Sequence, residues 1–166
     1  MNSVGIDVSK GRSTVAVMRP FGEVVISPFE VRHTNSELSA LARLLKSLDG
    51  ETRVVMEATE NYHTPVAKVL HDARLYVSVV HAKLIHGYGN NDLRRVKTDR
   101  KDAVKPANYG LNRWLTLPRY FPEEDTRLLL KNCYRQYKQY SKVQTVLKNN
   151  LISLLDTVFP LSLIHI

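Results

Sequence analysis

Four carboxylates, Asp7, Glu57, Asp99 and Asp102, stand in three stretches where they could together hold a cation. Val4-Gly5-Ile6-Asp7-Val8-Ser9-Lys10 sets an acid in the middle of an otherwise apolar strand. Burying an ionised carboxylate there is costly unless a cation or hydrogen bonds compensate it. Asp7 is therefore either a metal ligand or a residue at the strand end capping a turn at Ser9 to Gly11. Glu57 follows directly on the buried-type run Arg53 to Met56. It reads as a second ligand if its strand neighbours that of Asp7, or else as an exposed glutamate in a strand-to-helix turn. Glu60 has the weaker claim, because nothing apolar precedes it. Lys97-Thr98-Asp99-Arg100-Lys101-Asp102-Ala103 holds two further acids three apart, which on a helix project from one face. They serve a site, or they favour a helix dipole and pair with Arg100 or Lys101. A helix beginning near Asp99 meets Pro106 beyond its first turn, at a cost of about 3 kcal/mol, so it starts later or bends beside the site.

The elements that must position these acids follow from periodicity. Ser3 to Val8, Ser13 to Met18 and Glu23 to Val31 read as three strands joined by short connections at Gly11-Arg12 and Pro20-Phe21-Gly22, an antiparallel meander. Thr34-Asn35-Ser36-Glu37 resembles a capping box, and Leu38, Leu41, Leu45 and Leu48 recur at helical spacing until Asp49-Gly50. Arg53 to Met56 is a short strand. Thr64-Pro65 starts a second helix with Val66, Val69, Leu70 and Ala73 on one face, and Leu75 to Val80 is another strand. This order implies a mixed α/β sheet with helices packed on it. Lys83 to Lys105 then reads as a basic, glycine-loosened connection suited to phosphate contact, with Lys97, Arg100 and Lys101 as its binding candidates.

Composition narrows the classes further. The chain has 166 residues, 43% of them hydrophobic, enough for one domain plus an appendage. A net charge of +8 favours a polyanionic partner, nucleic acid or an acidic membrane surface. No segment reaches the apolar length of a membrane span, no signal sequence opens the chain, and Cys133 is the single cysteine, so cytoplasmic residence is expected. Without a cysteine cluster or a histidine pair at ligand spacing, zinc is disfavoured; His63, His71, His81 and His86 read as surface, packing or phosphate-contact residues.

Gly5-Ile6-Asp7-Val8-Ser9-Lys10, Met56-Glu57-Ala58-Thr59-Glu60-Asn61-Tyr62 and Lys97-Thr98-Asp99-Arg100-Lys101-Asp102-Ala103 together resemble the insertion-sequence transposases with an Asp-Glu-Asp-Asp set, relatives of the Piv-type DNA invertases. The resemblance covers nearly the whole chain. It implies a ribonuclease H-like, RuvC-type domain over residues 1–117, with Asp7, Glu57, Asp99 and Asp102 as metal-binding acids. It also implies Mg²⁺-dependent DNA cleavage and strand transfer in transposition. Oxygen-only ligands agree with Mg²⁺ or Mn²⁺, and four carboxylates suit two such ions. Some members use a structured RNA to choose DNA targets, which admits a guide-like RNA as a second partner. The family continues into a serine-bearing domain beyond this chain, and no serine here takes that role. Glu60 stands where many relatives have a small residue, commonly glycine.

Residues 118–160 read as a long helix opening at Pro122-Glu123-Glu124-Asp125 and running to Val158. Leu130, Cys133, Tyr137, Tyr140, Gln144, Leu147, Leu151, Leu154 and Val158 alternate three and four apart, a heptad seam with Gln144 as its polar interruption. Lys131, Arg135, Lys138 and Lys142 lie opposite, and no acid occurs between Arg127 and Leu155. Such a helix joins a second copy along one side and meets nucleic-acid phosphates along the other. Residues 161–166 are an apolar end that a further part of the protein should cover. Two other readings remain at this stage. One is a non-catalytic nucleic-acid-binding or dimerisation module. The other is half of a sugar-kinase or actin-like ATPase, which lacks here its Gly-rich phosphate turns.

Overall fold

In a computed structural model the described residues are 1–58, 61–88 and 102–159. The chain divides into two units, Met1–Pro122 and Glu123–Ile166.

The first unit is built on a five-stranded mixed sheet. Its strands are β1 (Asn2–Ser9), β2 (Arg12–Met18), β3 (Val24–Arg32), β4 (Thr52–Glu57) and β5 (Tyr76–Val80). Their spatial order is β3-β2-β1-β4-β5, with β1 in the centre. β1, β2 and β3 form the expected antiparallel meander, whereas β4 and β5 are parallel to β1 and to each other. Parallel neighbours need crossovers. Helices α1 (Asn35–Lys46) and α2 (His63–Asp72) supply them.

Alternation along the strands divides the sheet into two faces. Val4, Ile6 and Val8 of β1, with Val54 and Met56 of β4, pack with Leu38, Leu41 and Leu45 of α1 and Val66 and Leu70 of α2. The opposite face carries Ser3, Gly5 and Asp7 of β1 and Arg53, Val55 and Glu57 of β4. There Val55 and Val80 pack with Ile85 of α3 (Ala82–Tyr88) and with Leu117. The segment expected as a loose connection from Lys83 is thus helical through Tyr88, because Ile85 is 1% exposed and anchors a helical turn on the sheet. Tyr120 donates its backbone N–H to Val77 at 2.8 Å, so the unit continues past Leu117.

Local signals were mostly honoured. Thr34 caps α1 by accepting the Glu37 N–H, but the Glu37 carboxylate closes back on the Arg32 N–H at 2.6 Å, so it ties β3 to α1. α2 ends in a two-bond C-terminal motif in which Arg74 N–H donates to His71 and Leu75 N–H to Leu70, with Arg74 at φ 63°. That left-handed position suits glycine. Arg74→Gly is expected to raise unfolding free energy by about 1 kcal/mol, read from the urea midpoint at constant slope.

The second unit contains one long helix, α5 (Asp125–Val158), 34 residues ending at Phe159 as expected. Its number follows α4 (Val104–Asn112), which lies against β1 in the first unit.

Candidate active site and its supporting helix

The site is assembled by register. Ile6 of β1 pairs with Met56 of β4, so the next residues in each parallel strand, Asp7 and Glu57, sit side by side where the pairing of β1 with β4 stops. Adjacent strands lie about 4.8 Å apart, close enough for both acids to reach one cation. Glu57 also pairs with Val80, which belongs to the second sheet face, and Asp7 is two residues from Gly5 on that same face. Both acidic residues are half-buried at the sheet's edge. Glu57 is the last residue of β4 rather than part of the following turn.

Helix α4 brings the third acid. A Cβ on Gly5 would collide with the Ala103 carbonyl, stand 2.5 Å from the Ala107 nitrogen and 2.9 Å from its Cβ. Further along α4, a Cβ on Gly110 would strike the Ser3 hydroxyl and come within 2.8 Å of Val55. The buried Ser3 hydroxyl donates to the Ala107 carbonyl at 2.7 Å. From Ala103 to Gly110 the helix thus advances from Gly5 back to Ser3, antiparallel to β1. Asp102, preceding Ala103, therefore lies towards the Asp7 end.

Pro106 shapes this entry. Asp102 is helical, Ala103 is a turn residue, and α4 begins at Val104. Proline has no N–H to offer the Asp102 carbonyl four residues back, which accounts for the interruption beside the site. In the first turn of α4 the missing donor costs no intrahelical bond, and Pro106 is buried there. Asp102 is ion-paired with Lys105, whose ammonium lies 2.8 Å from Oδ1.

Lys97, Asp99, Arg100 and Lys101, together with Glu60, lie outside the described residues. Among the described residues, no three acids, histidines or cysteines stand close enough to hold a metal ion. The donor chemistry of Asp7, Glu57 and Asp102 nevertheless fits a hard divalent cation, because all three offer carboxylate oxygens. His71 meets Tyr120 and Phe121 edge to face, each with centroids 6.1 Å apart, and the exposed His81 accepts the Lys83 N–H at Nδ1.

On α5, Lys131, Arg135, Lys138 and Lys142 share one face by spacing. The Lys131 ammonium is bonded to Glu123, which holds that carboxyl below its usual range. Lys138 stands 5.6 Å from the Tyr134 ring centroid.

A family model described as Transposase, the DEDD type of IS110 elements, matches residues 4–160. The chain belongs to this transposase family. Its fold is similar to that of a solved Thermus thermophilus RuvC in complex with Holliday junction substrate, at 12% identity and TM-score 0.50, covering 72% of this chain and 99% of that one. A second Thermus thermophilus RuvC structure is similar at 14% identity and TM-score 0.48, covering 72% of this chain and all of that one. No curated protein sequence matches. The chain is thus a DNA transposase catalytic domain of ribonuclease H-like, RuvC type followed by a long helix, and the reading as a non-catalytic module is not favoured. Transposases of this type and RuvC-like nucleases generally use divalent metal ions. No helix among the described residues of the transposase is long and apolar enough to cross a membrane.

Sequence reasoning overlooked Ser3, Gly5 and Gly110, which seat α4. A glycine inside an apolar strand was the available signal, since it marks a close approach by another backbone.

Proposed function

We propose that this domain performs Mg²⁺- or Mn²⁺-assisted phosphodiester cleavage and strand transfer on DNA during transposition, with Asp7, Glu57, Asp99 and Asp102 as the metal-holding acids. The observation that carries this reading is the convergence of elements: Asp7 and Glu57 follow the last paired residues of adjacent parallel strands on one face, and α4 crosses that face with Asp102 just before its start. Asp7 and Glu57 would hold cations from the sheet and Asp102 from the side of α4, with Asp99 as the fourth acid. When bound, such cations neutralise charge on the attacking and leaving oxygens of the phosphodiester. The rigid sheet fixes two of the acids before substrate arrives, so little reorganisation is left for the reaction.

Lys97, Arg100 and Lys101 are assigned to phosphates near the site, and Lys131, Arg135, Lys138 and Lys142 to nucleic acid along α5. A structured RNA shares the same phosphate chemistry and is the second nucleic-acid partner in this reading. The apolar seam of α5 joins two copies of the chain, and the protein acts in the cytoplasm.

Calorimetric titration of Mn²⁺ into the purified chain tests the site. Binding is expected for the unsubstituted chain and is expected to be abolished by Asp7→Asn and by Asp102→Asn, with unchanged melting temperatures. Full binding by both variants would remove the basis for a shared site at the end of β1 and α4.

A further inference from the structure

Helix α4 carries a lysine where its own stability does not ask for one. Lys105 is in the first turn, which contains no acidic residue, and a cation there opposes the helix dipole. Its ammonium instead reaches back to Asp102 Oδ1 at 2.8 Å. The two side chains are 43% and 29% exposed, so the pair is open to solvent and adds little to folding. What the contact does is occupy an oxygen that the proposed metal site needs.

We propose that Lys105 is a resident counter-charge of this site: its ammonium holds Asp102 while no metal is bound and yields that oxygen when a divalent cation enters. The inference rests on the reading of Asp102 as a ligand. An ammonium and a divalent cation repel each other, and neither binds one carboxylate oxygen at full strength while the other is present. Lysine suits the exchange because its charge sits on a flexible four-carbon stem, able to swing into solvent with no backbone movement. Asp102 precedes the Ala103 cap of α4 and Lys105 is in its first turn, so the acid and its counter-charge stand three residues apart across the start of the helix. Lys105 thereby sets how tightly the site takes metal.

The test is Mn²⁺ titration of the whole chain, followed by the electron paramagnetic resonance signal of the free ion, on the unsubstituted protein and on Lys105→Met, Lys105→Arg and Asp102→Asn. Lys105→Met is expected to bind Mn²⁺ about two- to fivefold more tightly, the direction opposite to that of ordinary damage at a site. Lys105→Arg keeps the charge and is expected to stay within about twofold of the unsubstituted chain. Asp102→Asn is expected to lose binding. If Asp102→Asn loses binding while Lys105→Met is unchanged or weaker, the counter-charge role is overturned and the metal site stands. If the unsubstituted chain takes no Mn²⁺, or Asp102→Asn binds as well as it does, both fall together.

Discussion

Replacing Gly5 by alanine is expected to destabilise the first unit by about 3 kcal/mol and to weaken Mn²⁺ binding at least about tenfold, although position 5 carries no ligand. The new methyl would be driven into the Ala103 carbonyl and the backbone nitrogen of Ala107. These are backbone atoms of the α4 cap and of α4 itself, and neither can turn aside as a side-chain tip can. Gly5 is itself in the central strand, paired to Ala16 on one side and Val55 on the other, so β1 cannot retreat. Helix α4 must therefore lift or slide. Asp102 moves with it, and a metal constellation tolerates a displacement of only about 0.5 Å. Gly87→Ala is the matched control, because a Cβ there meets nothing within 4 Å. In the exposed helical position of Gly87 the same substitution is expected to be neutral or to stabilise by up to about 1 kcal/mol. Urea unfolding supplies the stability comparison and calorimetry the metal comparison. A Gly5→Ala chain with unaltered metal affinity would show that Asp102 is placed by something other than this close packing.

The unequal legibility of the site follows from the same geometry. β1, β2, β4 and β5 were readable because valine, isoleucine and methionine cluster between turn residues, and α1 because its leucines recur at helical spacing above the Thr34 cap. Asp7 stood out by contrast with its apolar strand, and Glu57 by following one. Their adjacency needed one further fact that no single strand contains: the crossover through α1 places β4 beside β1 and parallel to it. The interruption at Pro106 was legible as a choice between a later helix and a bend, and Ala103 marks where it lies. What escaped was the seat of α4. Ser3 is separated from Ala107 by 104 residues, and such a long-range bond leaves no local periodicity. Lys83 to Tyr88 was misread for a related reason: lysine and glycine suggested a loop, whereas Ile85 alone reports the sheet beneath it.

Leu147→Glu with Leu151→Glu is expected to convert a dimeric chain to monomers, raising the dissociation constant at least about 100-fold. Helix α5 has 34 residues, about 50 Å of length. Along its seam Tyr137 is 65% exposed, Tyr140 72%, Leu147 62%, Leu151 57% and Leu154 66%. So long an apolar stripe, interrupted only at Gln144, is unusual on a solvated helix, and its alternation of three and four residues is the spacing that lets two helices interlock along their length. A second copy supplies the same stripe and therefore fits without further assumption. Each leucine buried there is worth about 1.5–3 kcal/mol, and two-fold symmetry counts every substitution twice, which gives the expected size of the effect. Facing glutamates would add like-charge repulsion in a desolvated seam. Sedimentation equilibrium reads the outcome. Lys138→Ala with Lys142→Ala provides the complementary arm on the opposite face: dimerisation should persist, while DNA affinity falls and its dependence on salt lessens by about one counterion per lysine. Monomers in the unsubstituted chain, or a dimer indifferent to both glutamates, would assign the seam to another occupant. Loss of DNA binding by the glutamate variant alone, with both lysines intact, would instead show that pairing of two α5 helices is what makes the basic face effective.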